Sequence, residues 1–275
     1  MSEDYSGAPY EQAMSYQSYL HIPQLLSLQQ QVSGHPDGVP EHDELLFIII
    51  HQTYELWFKQ LLHEMKQAHI TLAAGDTYAS LGLLSRIRTI LKICVAQVDI
   101  LETMTPLQFM SFRGRLESSS GFQSAQFRMV EVLLGRRDAR VATQFAPNTA
   151  EHATILELLA SPSLWDSCLR YFLAHGYPVP GRLINRDVST PYCADADVQH
   201  LLLDAHRHDP EVALVCERLV DIDEGLQEWR YRHVKMVERT IGRKQGTGGS
   251  SGVDYLTGTV SQPVFPDLWA IRSEF

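Results

Sequence analysis

The stretch EVALVCERLVDIDEGLQEWRYRHVKMVERTI, residues 211–241, has a hydrophobic pattern that decides the fold class. Its apolar positions recur every three or four residues, which is the period of one face of an α-helix. That face is formed by Val215, Leu219, Ile222, Leu226, Trp229, His233 and Val237. The pair Asp209-Pro210 just before it is typical of a helix start. We therefore predict a long helix that carries one histidine, His233, on an otherwise apolar stripe.

Helical periodicity extends over most of the chain, whereas the alternation typical of strands is rare. The predicted helices cover about 41–74, 78–102, 106–116, 122–134, 162–175 and 197–208. Capping signals are Thr105 before Pro106, Gly135 after a helix, and Ser161 before Pro162. The rest of 136–210 is less regular, and "VPGRLINRDVSTPY" is predicted to be a loop. Without repeats or a long linker, we predict one all-α domain over residues 1–275, a helical bundle whose first ~15 residues are mobile or dock on a neighbouring subunit.

Composition excludes several classes of function. The 275 residues are 44% hydrophobic and 20% charged, with a net charge of −10 and no basic block, so we expect no nucleic-acid partner. The longest apolar run, residues 45–50, is too short to span a membrane, and the N-terminus lacks the pattern of a secretory signal. Four cysteines without a C-x-x-C pair are predicted to be reduced thiols, three of them core fillers, in a cytoplasmic protein.

Three helical patterns place chemically useful side chains together, and each has two interpretations. His233 is either a core histidine with a satisfied ring nitrogen or a ligand of a metal or haem iron. Phe47 and His51 share a helix face at spacing i, i+4, either as core packing or as a pocket for a planar heteroaromatic ring. Phe109 and Arg113 have the same spacing, and the arginine is either a surface residue or a clamp for a carboxylate.

The loop GRKQGTGGSSG, residues 242–252, follows the long helix. It is either a flexible connector or a loop whose backbone N–H groups and hydroxyls, including that of Thr247, hold a small charged molecule. It is not a phosphate-binding P-loop, because it lacks the required lysine spacing and follows a helix.

Four long motifs in one order make the chain resemble a known family. These motifs are HDELLFIIIHQTYELWFKQLLHE, LETMTPLQFMSFRGRLESSSGFQSAQFR, WRYRHVKMVERTIGRKQGTGGSSG and VFPDLW. Together they resemble the haem-dependent tryptophan 2,3-dioxygenases over almost the whole chain. The resemblance implies a haem b cofactor and cleavage of the indole C2–C3 bond of L-tryptophan by O2, giving N-formylkynurenine.

The resemblance also implies a role for individual residues. His233 would be the axial ligand of the haem iron, and the loop residues Gly246 and Gly248 would lie against the cofactor. Phe47, His51, Phe109, Arg113 and Thr247 would bind the substrate: Phe47 packs on the indole ring, His51 accepts its N–H, Arg113 holds the carboxylate, and Thr247 contacts the ammonium and carboxylate. Catalytic roles would fall to His51 and to Ser120, near the oxygen and the indole. Tyr16, Tyr19 and Leu20 would enter the pocket of a neighbouring subunit, which implies a homotetramer.

Two departures from the family pattern stand in this sequence. Phe109 replaces a tyrosine of some bacterial members, so carboxylate binding should depend more on Arg113. Pro23 replaces a usual aspartate, which bears on how the N-terminal segment docks. Three alternatives remain open: a related monooxygenase that adds one oxygen to tryptophan or a methylated tryptophan to form an oxindole, a non-catalytic haem or amino-acid sensor, and a helical scaffold without a ligand.

Overall fold

The protein is all-α, as the periodicity predicts. The computed structural model describes residues 14–34, 39–117, 119–244 and 253–275, and this part of the chain contains no β-strand beyond an isolated bridge between Gly34 and Pro40. Three short 3₁₀ helices span Gly121–Gln123, Ala139–Gln144 and Ile271–Ser273. The α-helices are α1 (Tyr16–Tyr19), α2 (Ile22–Leu25), α3 (His42–Ala73), α4 (Thr77–Leu101), α5 (Pro106–Arg113), α6 (Ala125–Leu134), α7 (Ala150–Leu159), α8 (Leu164–Ala174), α9 (Gly181–Ile184), α10 (Ala196–His208), α11 (Pro210–Ile241), α12 (Val253–Val260) and α13 (Pro266–Ala270).

Three long helices form the centre of the molecule. α4 packs against both α3 and α11, the two 32-residue helices, and α8 packs on another side of α3. Leu84 and Ile87 of α4 and Leu61 of α3 are completely buried in the shared core. Burial of each such aliphatic side chain stabilises the fold by about 1.5–3 kcal/mol, so this core fixes the positions of the helices that carry the candidate site. None of the helices in the described ranges is long and apolar enough to cross a membrane.

Two predicted helix starts have different outcomes. The Thr105 hydroxyl accepts the backbone N–H of Gln108 at 3.3 Å, so the predicted cap of α5 is confirmed. The predicted start of α8 is wrong by two residues: Ser163, not Ser161, is the cap. The Ser163 hydroxyl accepts the N–H of Asp166 at 3.2 Å, and the Asp166 carboxylate accepts the Ser163 N–H at 2.7 Å. Ser161 instead donates its hydroxyl to the Glu157 carbonyl at the end of α7.

The polar interval before α6 also differs from the prediction. A 3₁₀ turn covers Gly121–Gln123, and α6 begins only at Ala125 because the Ser124 hydroxyl accepts the Phe127 N–H at 3.1 Å. Gly135 does end α6, with a positive φ of 124° that favours glycine. The region 136–210 is more helical than its pattern indicates, since it contains α7 and, inside the predicted loop, α9.

The C-terminal segment is fastened to α11 by two buried charged residues. The Asp223 carboxylate accepts the backbone N–H groups of Val264 and Phe265 and the indole N–H of Trp269, at 2.9–3.0 Å. Arg230, seven residues further along α11, donates to the carbonyl of Thr259 in α12 and to that of Gln262 just after it, at 3.2 Å each. The half of α11 that bears His233 is therefore held from the side of the C-terminus.

The N-terminal segment is attached to α3 through the backbone of residues 32 and 33. The Glu44 carboxylate accepts the backbone N–H groups of Val32 and Ser33 at 2.9 and 3.0 Å. Upstream, the side chains of Tyr16, Tyr19 and Leu20 are 74%, 65% and 41% exposed. The predicted mobility of the first ~15 residues falls almost wholly outside the described residues.

Candidate functional site

Helices α3, α4, α5, α6, α11 and α12, together with residues 116, 119–122 and 124, border one cavity of about 250 Å³. Six of the predicted site residues line it: Phe47, His51, Phe109, Arg113, Ser120 and His233. They come from α3, α5, the segment after α5 and α11, so the fold brings together residues that are up to 186 positions apart in the chain. This grouping was predicted, but the roles of the individual residues stay predictions.

His51 has a defined protonation state and tautomer. Its Nδ1 lies 2.7 Å from the carbonyl oxygen of Phe47, one turn earlier in α3. Because a carbonyl only accepts, we assign the ring proton to Nδ1, which leaves the lone pair on Nε2 as an acceptor. Burial lowers the pKa of His51 below its usual value, although the Phe47 carbonyl and the Glu55 carboxylate act in the opposite direction. The imidazole is therefore neutral near pH 7.

Aromatic rings form the wall next to His51. The Phe47 ring centroid lies 4.1 Å from that of His51, 5.7 Å from that of Phe109 and 5.6 Å from that of Phe112. Phe112 is completely buried behind this wall. Contacts of this kind favour a flat apolar ligand, since aromatic rings pair at centroid distances of about 4.5–7 Å.

Two polar side chains lie on the same cavity beyond the aromatic wall. Arg113 is the last residue of α5, one turn after Phe109. The Ser120 hydroxyl accepts the backbone N–H of Phe122 at 3.3 Å and caps the 3₁₀ turn. Its own proton is still available for donation, because a hydroxyl both accepts and donates.

His233 lies on α11 in a different environment from His51. Its ring borders the cavity and makes no hydrogen bond to any residue that the structure describes. It is stacked on Trp229, one turn earlier, with ring centroids 5.1 Å apart and planes inclined by 5°. Burial lowers the pKa of His233 to about 4, and repulsion from the Arg128 guanidinium, and from His51 when His51 is protonated, acts in the same direction. This is a neutral imidazole without a polar partner in the described part of the chain.

A buried arginine cluster on the cavity wall was not predicted. The Glu131 carboxylate accepts from Arg128 at 2.6 Å, from Arg136 at 2.8 Å and from Arg230 at 3.0 Å. Burial alone would raise the pKa of Glu131, but the three guanidinium groups outweigh it and lower the pKa. One buried carboxylate is thus shared by three guanidinium groups. The i, i+3 pair of Arg128 and Glu131 was a visible signal, whereas the contribution of Arg230 depends on the tertiary fold.

The remaining predicted site residues are not in this cavity or cannot be placed. Tyr16, Tyr19 and Leu20 do not line it and are exposed on the protomer. Thr247, Gly246 and Gly248 lie outside the described residues. In the described ranges no group of three His, Cys, Asp or Glu side chains could hold a metal ion. Cys94, Cys168 and Cys216 are buried in helices as predicted, and Cys193 is exposed.

Comparisons with known proteins identify the relatives of this chain. A family model described as tryptophan 2,3-dioxygenase matches residues 1–162 and 211–275. A protein named tryptophan 2,3-dioxygenase from Herpetosiphon aurantiacus is 54% identical, and the match covers 96% of this chain and 99% of that protein. A protein of the same name from Anaeromyxobacter sp. is 53% identical, and the match covers 94% of this chain and 96% of that protein. Another from Serratia proteamaculans is 40% identical, with 96% of this chain and 94% of that protein covered.

Proposed function

The chain belongs to the tryptophan 2,3-dioxygenase family, and on that premise we propose that it catalyses the cleavage of the indole C2–C3 bond of L-tryptophan by O2, giving N-formylkynurenine. One observation carries the proposal: two neutral histidines, His51 and His233, line a single cavity together with an aromatic wall and Arg113. These are the groups that a flat heteroaromatic amino acid and a metal-bearing cofactor would each require.

Haem b fits the residues that are present. His233 offers a neutral imidazole whose ring nitrogens have no partner among the described residues, so it would hold the haem iron. A single histidine cannot hold a free metal ion, but a porphyrin supplies the other ligands itself. The guanidinium groups of Arg128 and Arg230 on the cavity wall would hold the carboxylates of the porphyrin. Gly246 and Gly248 are proposed to contact the same cofactor from the loop.

The binding of tryptophan follows from the polarity of each group. An indole N–H only donates, and Nε2 of His51 is assigned as an acceptor, so this pair can form a hydrogen bond of the correct sense. Phe47 and Phe109 offer the apolar surface for the ring, and the guanidinium of Arg113 can take the carboxylate by two parallel hydrogen bonds. Thr247 would contact the ammonium and carboxylate groups.

The residues of this chain act mainly by positioning. When bound, haem iron supplies the redox chemistry that activates O2. The aromatic wall fixes the indole plane and excludes water, while His51 holds the indole N–H and thereby sets the position of C2 and C3. Burial lowers the pKa of His51 and makes it a weak base, so its proposed part is to position the indole. Ser120 is proposed to orient the reacting groups with its hydroxyl proton.

The assembly and location are part of the same proposal. We infer a homotetramer in which Tyr16, Tyr19 and Leu20 of one protomer cover the pocket of another, which is supported by their exposure on the protomer. We also infer a cytoplasmic location, in keeping with four unpaired cysteines.

The decisive experiment counts oxygen atoms in the product. The haem-loaded protein is reduced without air, mixed with L-tryptophan and ¹⁸O₂, and the product is analysed by mass spectrometry. The proposal expects two labelled atoms in N-formylkynurenine. One labelled atom in an oxindole would indicate the monooxygenase, and haem binding without turnover would indicate a sensor. Purified protein that binds no haem would overturn both the cofactor and the reaction.

A further inference from the structure

The orientation of the His233 ring needs an explanation, because its side-chain torsion is soft. Rotation about the bond between Cβ and an imidazole ring has broad minima, so burial alone does not select one ring plane. A histidine that binds a metal is usually oriented by donating its other ring N–H to a carboxylate or carbonyl group. Among the residues that the structure describes, His233 has no such partner.

The neighbouring indole provides the missing constraint. The ring of Trp229 is parallel to that of His233 within 5°, at a centroid distance of 5.1 Å. Trp229 is itself enclosed by an aromatic box formed by Tyr54, Phe58 and Phe127, whose centroids lie 6.4, 6.4 and 4.6 Å from its own. Because the box comes from α3 and α6, the indole plane is fixed by three helices rather than by α11 alone.

We propose that Trp229 is a positioning residue that sets the plane of the His233 imidazole by stacking, in place of a hydrogen bond to the second ring nitrogen. The inference rests on the proposed function, since it takes His233 as the axial ligand of haem iron. It adds that the plane of this imidazole depends on the aromatic box. Removing the stack should let the ring rotate without removing the ligand.

The test compares Trp229→Leu and Trp229→Phe with Trp165→Phe. Trp165 is a matched control, because its indole N–H, like that of Trp229, is buried without an acceptor, but it does not line the cavity. Haem-loaded proteins are oxidised and bound to cyanide, and the hyperfine-shifted haem methyl signals are recorded by NMR. The spread of these signals reports the plane of the axial imidazole. Resonance Raman spectra of the ferrous proteins give the iron–histidine stretching band.

We expect Trp229→Leu to change the order of the methyl signals and to broaden the iron–histidine band, with a smaller change for Trp229→Phe and none for Trp165→Phe. If Trp229→Leu does not fold, the Phe variant decides, because it keeps an aromatic ring within the box. Signals unchanged from wild type in the folded Trp229 variants would overturn the inference. Wild-type protein that binds haem without a histidine ligand would overturn the assignment of His233, and hence the proposed function, as well.

A second measurement separates stacking from general stability. In His233→Gly supplied with haem and free imidazole together, the imidazole can occupy the place of the side chain, and its affinity is read from the haem absorption spectrum. Adding Trp229→Leu should weaken imidazole binding roughly 2- to 12-fold, the range expected for an aromatic pair. Adding Trp165→Phe should leave the affinity unchanged. Equal affinities in all three proteins would show that the indole does not hold the imidazole.

Discussion

Helices α3 and α11 each place one histidine on the cavity, with an aromatic residue four positions earlier, yet the two pairs are built differently. His51 is tied to the backbone: its Nδ1 donates to the carbonyl of Phe47 at 2.7 Å. His233 is tied to a side chain: its ring lies flat on Trp229. The same i, i+4 spacing therefore gives a hydrogen-bonded imidazole in one helix and a stacked imidazole in the other.

The difference matters because it decides which nitrogen is available. The bond to Phe47 gives His51 one tautomer, with its acceptor on Nε2, as the indole N–H of a substrate requires. His233 keeps both ring nitrogens without a partner in the described part of the chain, so one of them is available to bind a metal ion. If this comparison holds, loss of each histidine should have a different consequence.

The largest effect is expected from His233→Ala. The variant should lose bound haem and all turnover, because no other described side chain on the cavity wall offers a neutral imidazole without a hydrogen bond. Haem content is measured as the pyridine complex, and activity as formation of N-formylkynurenine. His208→Ala, at an exposed position outside the cavity, serves as the control. A His233→Ala protein with a normal haem spectrum and turnover would show that His233 of α11 is not the haem ligand.

Arg113→Ala should have the next largest effect, on the side of the cavity that we assign to the substrate. Loss of a charge-assisted contact to the carboxylate should weaken tryptophan binding by roughly 1.5–3 kcal/mol, or about 10- to 150-fold. The control is Arg115→Ala, two residues later, where the guanidinium pairs with Glu41 at 3.6 Å and does not line the cavity. Spectroscopic titration with tryptophan gives both affinities. Equal affinities for the two variants would count against the carboxylate clamp.

His51→Ala should keep haem and reduce kcat/KM by about 2- to 12-fold, the range of one neutral hydrogen bond. His63→Ala, on an exposed position of the same helix, controls for loss of helix stability. A substrate variant sharpens the result: 1-methyltryptophan has no indole N–H. Wild-type protein should prefer tryptophan, and the preference should shrink in His51→Ala. The same preference in both proteins would mean that Nε2 of His51 does not accept the indole N–H.

The site could be predicted in part because its main pairs are local. Phe47 with His51 and Phe109 with Arg113 are each one helical turn apart, so the sequence alone places them on common faces. That the two faces line one cavity follows from tertiary packing, and the sequence suggested it only through the family resemblance. The stack of Trp229 on His233 was hidden because both residues read as members of one apolar stripe.

The errors have different origins. The cap of α8 was missed although its signal is local, since Ser163 forms a capping box with Asp166 three residues later. The arginine cluster around Glu131, by contrast, needs Arg230 from α11, 99 positions away. Contacts of such long range leave no periodic signal, whereas caps such as Thr105, with a partner three residues later, do.

The smallest expected effect is a pH dependence that separates His51 from an ordinary histidine. Burial lowers the pKa of His51, so the neutral form that accepts the indole N–H persists below the pH at which an exposed imidazole gains its proton. We therefore expect kcat/KM to be constant through neutrality and to fall only as the pH drops through this lowered pKa. Below that pKa the protonated Nε2 is a donor, and it can no longer accept the indole N–H of the substrate. The acidic limb should be shallower or absent in His51→Ala and unchanged in His63→Ala. An acidic limb centred at the ordinary pKa of imidazole in wild type, or one that persists in His51→Ala, would mean that another group controls the pH dependence. The hydrogen bond from His51 to Phe47 would then have no effect on substrate binding.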